Sequence, residues 1–250
     1  MTLSSSFRAR VAGGAFVFAG LFPLSSALAA PARPGEPRGP VRVTVADVEA
    51  SNQKVAMAYS ALMKMWSNEF RRIGESFAQP RIVRYDDGGY TACGYIDPSN
   101  ALYCPRNNTI YYDQVFVAGM QKLAGKAVGT DGDMAAVGII AHEVGHAVAM
   151  QLGHDSRDSY ENESTADCLA GAFALQSKHD GYLERGDVDE AVFGMAMAGD
   201  PTPEATGNRR VDAMIQARLA RNAHGTREQR MQNFREGLDG GAGACLSELR

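Results

Sequence analysis

The sequence predicts an α+β chain, a mostly helical domain with a small antiparallel sheet beside one central helix. Three observations predict it. Apolar residues recur at steps of three and four from Val55 to Phe77, which is the helical period, and further helices fit along the rest of the chain. Short runs with strand chemistry cluster between residues 81 and 112. The stretch Ile139 to His146 sets an HExxH pattern inside an apolar, helix-forming run. With 250 residues and 45% hydrophobic content, the chain can bury the core of one globular domain.

The first segment differs from the rest. Arg8 and Arg10 precede an uncharged apolar run from Val11 to Leu24, and Ala27-Leu28-Ala29 supplies an A-x-A cleavage pattern. This is the layout of a signal peptide, with Ala30 as the first mature residue. The rival is an uncleaved membrane anchor. Gly13, Gly14, Gly20, Pro23, Ser25 and Ser26 make the run a poor spanning helix. The expected organisation is therefore a signal peptide over 1–29, a linker over 30–44 rich in Pro, Gly and Arg, and one domain over 45–250. Cleavage removes two positive charges and no acid, taking the net charge from −4 to −6. That acidity, with no basic patch, argues against nucleic acid as a partner. The localisation expected is exported, periplasmic or secreted, with the membrane a partner only if the N-terminal segment stays uncleaved.

From Val45 to Phe77 the apolar residues Val55, Tyr59, Leu62, Trp66, Phe70, Ile73 and Phe77 mark one face of a long helix that Pro80 ends. Arg81 to Tyr85 reads as a strand before the turn-former Asp86-Asp87-Gly88-Gly89. Leu102–Cys104 and Thr109–Tyr112 read as two strands about Pro105–Asn108. An edge strand beside a cleft can pair with extended substrate through its backbone, and Thr109–Tyr112 is the expected rim. Asp113 caps a helix from Val115 to about Leu123, and Gly125, Gly129 and Gly132 mark a loop. Asp133 is the expected N-cap of the HExxH helix, and Gly153 its stop. Asp158 and Glu161 have capping-box spacing for a helix to about Ser177. Further helices fit Val188–Met197, Arg210–Ala220 and Arg227–Leu238, with Gly240, Gly241 and Gly243 loosening the end before Cys245.

On a helix, His142 and His146 lie one turn apart on one face, close enough to share a metal ion. Glu143 then stands where a general base for a metal-bound water is needed, and small Gly145 leaves room beside the ligands. Gly153 lies seven residues after His146, and Glu163 five after Asp158. At the helical rise these are about 10 Å and about 7–8 Å from the turn. In an antiparallel hairpin Glu163 therefore comes nearly level with His146 and completes a His₂Glu set. Asp167, one turn further, is placed to accept the other ring N–H of a ligand histidine, His142 first.

Other third ligands fit less well. The longer HExxHxxGxxH pattern would need Gly at Ala149 and His at Leu152. His154 comes two residues late, Asp155 sits at the turn, and His179 and His224 are distant in sequence. His224 could reach the cleft and steady an oxyanion. A structural zinc would leave Glu143 without a role and usually takes four protein ligands. Each residue alone is more often an ordinary helix histidine or exposed acid. Together, at these spacings, they favour metal. Four cysteines, Cys93, Cys104, Cys168 and Cys245, suggest two disulfides in an exported chain, and sequence alone allows three pairings. No CxxC occurs, which disfavours a cysteine zinc site.

Ala92-Cys93-Gly94, Tyr103-Cys104-Pro105, Ile110 to Asp113, the HExxH segment and Glu163 to Gly171 resemble the bacterial putative neutral zinc metallopeptidase family. His224-Gly225-Thr226, Gln229-Arg230 and Phe234 resemble its C-terminal pattern. The resemblance implies a zincin-like fold and one catalytic Zn²⁺ on the gluzincin-type ligands His142, His146 and Glu163, with Glu143 as base. It also implies a Cys93–Cys104 pair. Ser164-Thr165 stands where the family usually has Leu-Gln, and the Cys93–Cys104 segment is less glycine-rich than the family's. Neither departure touches a ligand. The function expected is hydrolysis of a peptide or protein substrate. The alternatives are a non-catalytic zinc-bound binding protein and a zinc amidase acting on cell-wall peptides.

Overall fold

The computed structural model describes residues 41–156, 158–200, 205–222 and 224–250. The expected signal peptide and most of the expected linker lie outside the described residues.

Helix α1 (Val45–Arg72) begins at a capping box in which Thr44 accepts the Asp47 N–H and the Asp47 side chain accepts the Thr44 N–H. It buries Val55, Leu62, Trp66 and Phe70, each contributing roughly 1.5–3 kcal/mol by leaving water. The helix ends at Arg72, five residues short of the expected Phe77. Gly74, at φ +82°, turns the chain out of the helix before Pro80 is reached. Phe77 folds back onto Phe70 at 4.9 Å, so it keeps its core contact from outside the helix.

The sheet is small and its pairing is mixed. Strand order is β1 (Arg81–Tyr85), β5 (Thr109–Asp113), β4 (Ala101–Cys104), with β1 parallel and β4 antiparallel to β5. Thr109–Tyr112 is therefore the middle strand and not the rim. Four of the five β5 residues are buried, and its backbone is paired on both sides. The free edge facing the HExxH helix belongs to β4. A separate hairpin, β2 (Gly89–Thr91) with β3 (Gly94–Ile96), has no counterpart in the sequence reading. Disulfide Cys93–Cys104 ties that hairpin's turn to the end of β4.

Helix α2 (Gln114–Val128) is capped by Asp113 and runs through Gly125, where a loop was expected. Gly125 is buried, and a Cβ there would stand 2.8 Å from the Thr130 carbonyl oxygen. The N-cap of α3 (Asp133–Gln151) is Gly132, with Asp133 the first helical residue. The capping carboxylate comes from another helix: buried Glu190, on α5 (Asp187–Met197), accepts the Gly132 and Met134 N–H groups at 3.0 and 2.9 Å. Asp131, Asp133 and Glu190 form an acidic group. Lys54 lies 2.5 Å from Asp133 and 3.5 Å from Asp131, so this group reads as a helix cap with Lys54 as a counter-ion. Helix α4 (Ser159–His179) is capped by Asp158 through the Tyr160 N–H, and Glu161 bonds Ser156 Oγ instead of closing a capping box. Then come α6 (Arg209–Asn222), α7 (Arg227–Gly240) and the short α8 (Ala242–Cys245).

Helix α4 is pressed between α3 and α7, and glycines set the spacing. A Cβ on Gly145 would lie 2.8 Å from the Ala166 carbonyl oxygen; one on Gly171 would meet the Phe234 oxygen at 1.9 Å, and one on Gly237 the Cys168 oxygen at 1.7 Å. Gly145 thus lets α4 approach α3, a different role from the expected clearance beside the ligands. Cys168–Cys245 fastens α4 to α8, and no cysteine is free. Two formed disulfides fit an oxidising compartment. Among the described residues, no helix is long and apolar enough to cross a membrane.

Candidate metal centre

Helix α3 is buried almost all round, and its cleft-facing stripe is Ile139, His142, Glu143, His146 and Met150. The close α3–α4 crossing brings Glu163 to this stripe. The His142 and His146 Nε2 atoms are 3.1 Å apart. Glu163 Oε2 lies 3.1 Å from His142 Nε2, and Oε1 lies 3.5 Å from His146 Nε2. A tetrahedral zinc with bonds of about 2.0–2.1 Å needs donor atoms roughly 3.3–3.4 Å apart. The three side chains fit that requirement. Glu163 Oε2 is also buried with no aligned hydrogen-bond donor, an arrangement that otherwise costs stability.

The electrostatics agree. Burial opposes ionisation of Glu163, but the His142 and His146 rings outweigh it and hold the carboxyl well below the usual range. Burial and the Arg230 charge oppose protonation of His142, while Asp167 and Glu163 lift its ring to about 10. The pocket between these side chains is tuned for positive charge.

Asp167, fully buried, lies 2.8 Å by its Oδ1 from His142 Nδ1, the contact anticipated from helical spacing. Glu143 shares the cavity with the three donors. Its Oε2 accepts the backbone N–H of Tyr103 on edge strand β4 at 2.7 Å. The cavity measures ≈ 590 Å³, within the range of small-ligand sites. Ala101, Leu102 and Tyr103 of β4 form one wall. Phe116, Met195 and Met197 add apolar lining, and His154, Asp155, Ser159 and Asn162 polar lining. His224 also lines the cavity; its N–H donates to Asp200 Oδ2 at 2.7 Å, and its ring Nδ1 is 3.5 Å from Asp200 Oδ1. His154 is occupied by Glu248 at 3.1 Å, and His179 lies away from the cavity.

Two features had no assigned role in the sequence reading. The Tyr103 N–H is a backbone group, which no side-chain pattern marks. Arg230 is a buried cation on α7 that donates to both Asp167 oxygens. Its signal was a charged residue one helical turn before Phe234, and so on the same face. A buried arginine requires an acidic partner.

In a mostly helical α+β domain, two histidines of an HExxH helix face a carboxylate from the next helix, a donor set that could hold a metal ion. The family described as putative neutral zinc metallopeptidase matches residues 40–247, and the chain belongs to that family. Two relatives, each named "Uncharacterized protein YpfJ", come from Escherichia coli K12 and Escherichia coli O6:H1. Each is 32% identical over 194 residues, covering 70% of this chain and 63% of the relative. The chain thus spans about 63% of the length of the curated relatives it matches. No solved structure matches significantly.

Proposed function

We propose that this chain is a zinc-dependent peptidase of the exported compartment, with His142, His146 and Glu163 as metal ligands and Glu143 as general base. The observation that carries the reading is the convergence of the three donors, 3.1–3.5 Å apart, on a cavity they share with Glu143 and edge strand β4. A zinc ion held by these donors would supply Lewis-acid polarisation of the scissile carbonyl and would acidify the attacking water.

The protein's own groups do the rest. Glu143, anchored by the Tyr103 N–H, takes a proton from the attacking water as its oxygen bonds to the scissile carbonyl carbon. It returns that proton to the leaving nitrogen as the C–N bond breaks. The β4 edge offers backbone groups to an extended peptide. His224, which lines the same cavity and contacts Asp200, would donate to the developing oxyanion. The segment over 1–29 directs export and is removed. The substrate is a peptide or protein, and nucleic acid is not a partner.

The test is cleavage of a peptide library by zinc-loaded protein, with a chelator control. Glu143→Gln should lose about 10²–10⁴-fold in turnover and retain stoichiometric zinc. Wild-type turnover by Glu143→Gln would sink the mechanism. Bound zinc with no cleavage of any peptide would favour a binding protein, and cleavage confined to cell-wall peptides would favour an amidase.

A further inference from the structure

We propose that Arg230 is a positioning residue of the metal centre, and that its guanidinium sets the carboxylate that orients His142. The proposal rests on reading His142, His146 and Glu163 as ligands, and it extends the centre to a third helix. Arg230 is only 4% exposed. Its Nε donates to Asp167 Oδ2 at 3.0 Å and its Nη2 to Oδ1 at 2.6 Å, a two-pronged grip. Nη1 donates to the Ala198 carbonyl at 3.1 Å.

Asp167 Oδ1 is thereby shared. It receives Arg230 Nη2 and, at 2.8 Å, His142 Nδ1. Nη2 stands 3.2 Å from that same ring nitrogen. Both are donors, so the proximity follows from their common acceptor. With Oδ2 held by Nε, the carboxylate cannot turn. With a metal ion bound, His142 would keep its proton on Nδ1 and turn its Nε2 lone pair to that ion. Without the clamp, a buried carboxylate holding one imidazole N–H would be free to swing and short of partners.

A buried ion pair is weak evidence of stabilisation, because desolvation offsets most of its attraction. The placement favours a task. The clamp lies directly behind one ligand, with Nη2 also 3.8 Å from Glu163 Oε2. The fold fixes it there. The Thr226–Gln229 capping box sets the first turn of α7, and Gly171 and Gly237 bring α7 against α4 at backbone distance. Lysine could supply the charge but not the fork.

The test measures zinc affinity by chelator competition and the visible spectrum of Co²⁺-loaded protein, neither of which needs a substrate. Arg230→Gln should bind zinc about 10–100-fold more weakly and shift the cobalt bands, with Arg230→Lys in between. Asp167→Ala should show a similar loss. In the double variant Asp167→Ala/Arg230→Gln the two losses should not multiply, because they remove one pathway. Zinc affinity within about threefold of wild type in folded Arg230→Gln, or losses that multiply in the double variant, would overturn the proposal. If Arg230→Gln does not fold, Arg230→Lys decides: weakened zinc binding and altered cobalt bands support the clamp, and wild-type values overturn it. Absence of peptide cleavage by the wild-type protein would sink the peptidase reading and leave this result standing.

Discussion

The two walls of the cleft are built by different means. The helical wall holds His142, His146 and Glu163 by side chains, on two helices crossing at backbone distance through Gly145. The strand wall holds Glu143 by a main-chain group, the Tyr103 N–H at the edge of β4. A side-chain wall depends on which residues stand at given spacings. A backbone wall depends on where an edge lies and which of its N–H groups is spare. The first should be sensitive to helix spacing, the second to the loss of one hydrogen.

The largest effect is expected from closing the gap between α3 and α4. A methyl on Gly145 would sit 2.8 Å from the Ala166 carbonyl oxygen and 3.0 Å from its Cα. The contact is backbone, which cannot rotate away. Gly145→Ala should cost about 1–3 kcal/mol in stability and weaken zinc binding by more than about tenfold, as Glu163 is pushed from the histidines. Thermal unfolding and chelator competition measure both. Lower stability with unchanged zinc affinity would mean that helix spacing does not govern ligand geometry.

A smaller, more selective effect is expected at the strand wall. The Tyr103 N–H points away from β5, so proline there removes the bond to Glu143 without removing a ladder bond. Tyr103→Ala is the control, since it also loses the ring and its hydrogen bond to Asn108. Tyr103→Pro should turn over about 10- to 100-fold more slowly than Tyr103→Ala, with equal zinc affinity. Equal turnover of the two would show that the edge strand does not position the base.

The same contrast explains what could be read from the sequence. The helical wall was legible because HExxH and Glu163 four residues before Asp167 are periodic, and helical period maps directly to one face. The strand wall was misassigned to Thr109–Tyr112. Strand order is set by tertiary pairing, and that run, buried on both faces, became the middle strand. The α1 face was legible, but its end was not, because Gly74 stops the helix before Pro80 and the apolar period continues through a folded-back Phe77. Caps supplied across the fold left no local signature; Glu190 serves α3 from 58 residues away. Arg230 was visible as a residue, but the clamp is a contact over 63 residues of chain.

The smallest expected effect comes from a position in neither wall. Asp187 opens α5, the helix whose Glu190 caps α3. It is buried, accepts the Glu184 N–H at 2.7 Å, and burial pushes its carboxyl up to about 6. The unfolded chain ionises first as pH rises, near the ordinary carboxylate value of about 3.9. The protonated form is therefore favoured in the fold. Stability from this residue is fully present below pH of about 4, is lost as pH rises to about 6, and stays lost above that. Asp187→Asn keeps an acceptor for Glu184 and removes the titration. Denaturant unfolding across this range should show the variant gaining on wild type from acid toward neutrality, with zinc affinity at neutral pH unchanged. A constant difference at all pH values would show that Asp187 ionises alike in folded and unfolded chains. A change in zinc affinity would mean that the α3 cap communicates with the helical wall, and the separation of the cleft from its supports would have to be redrawn.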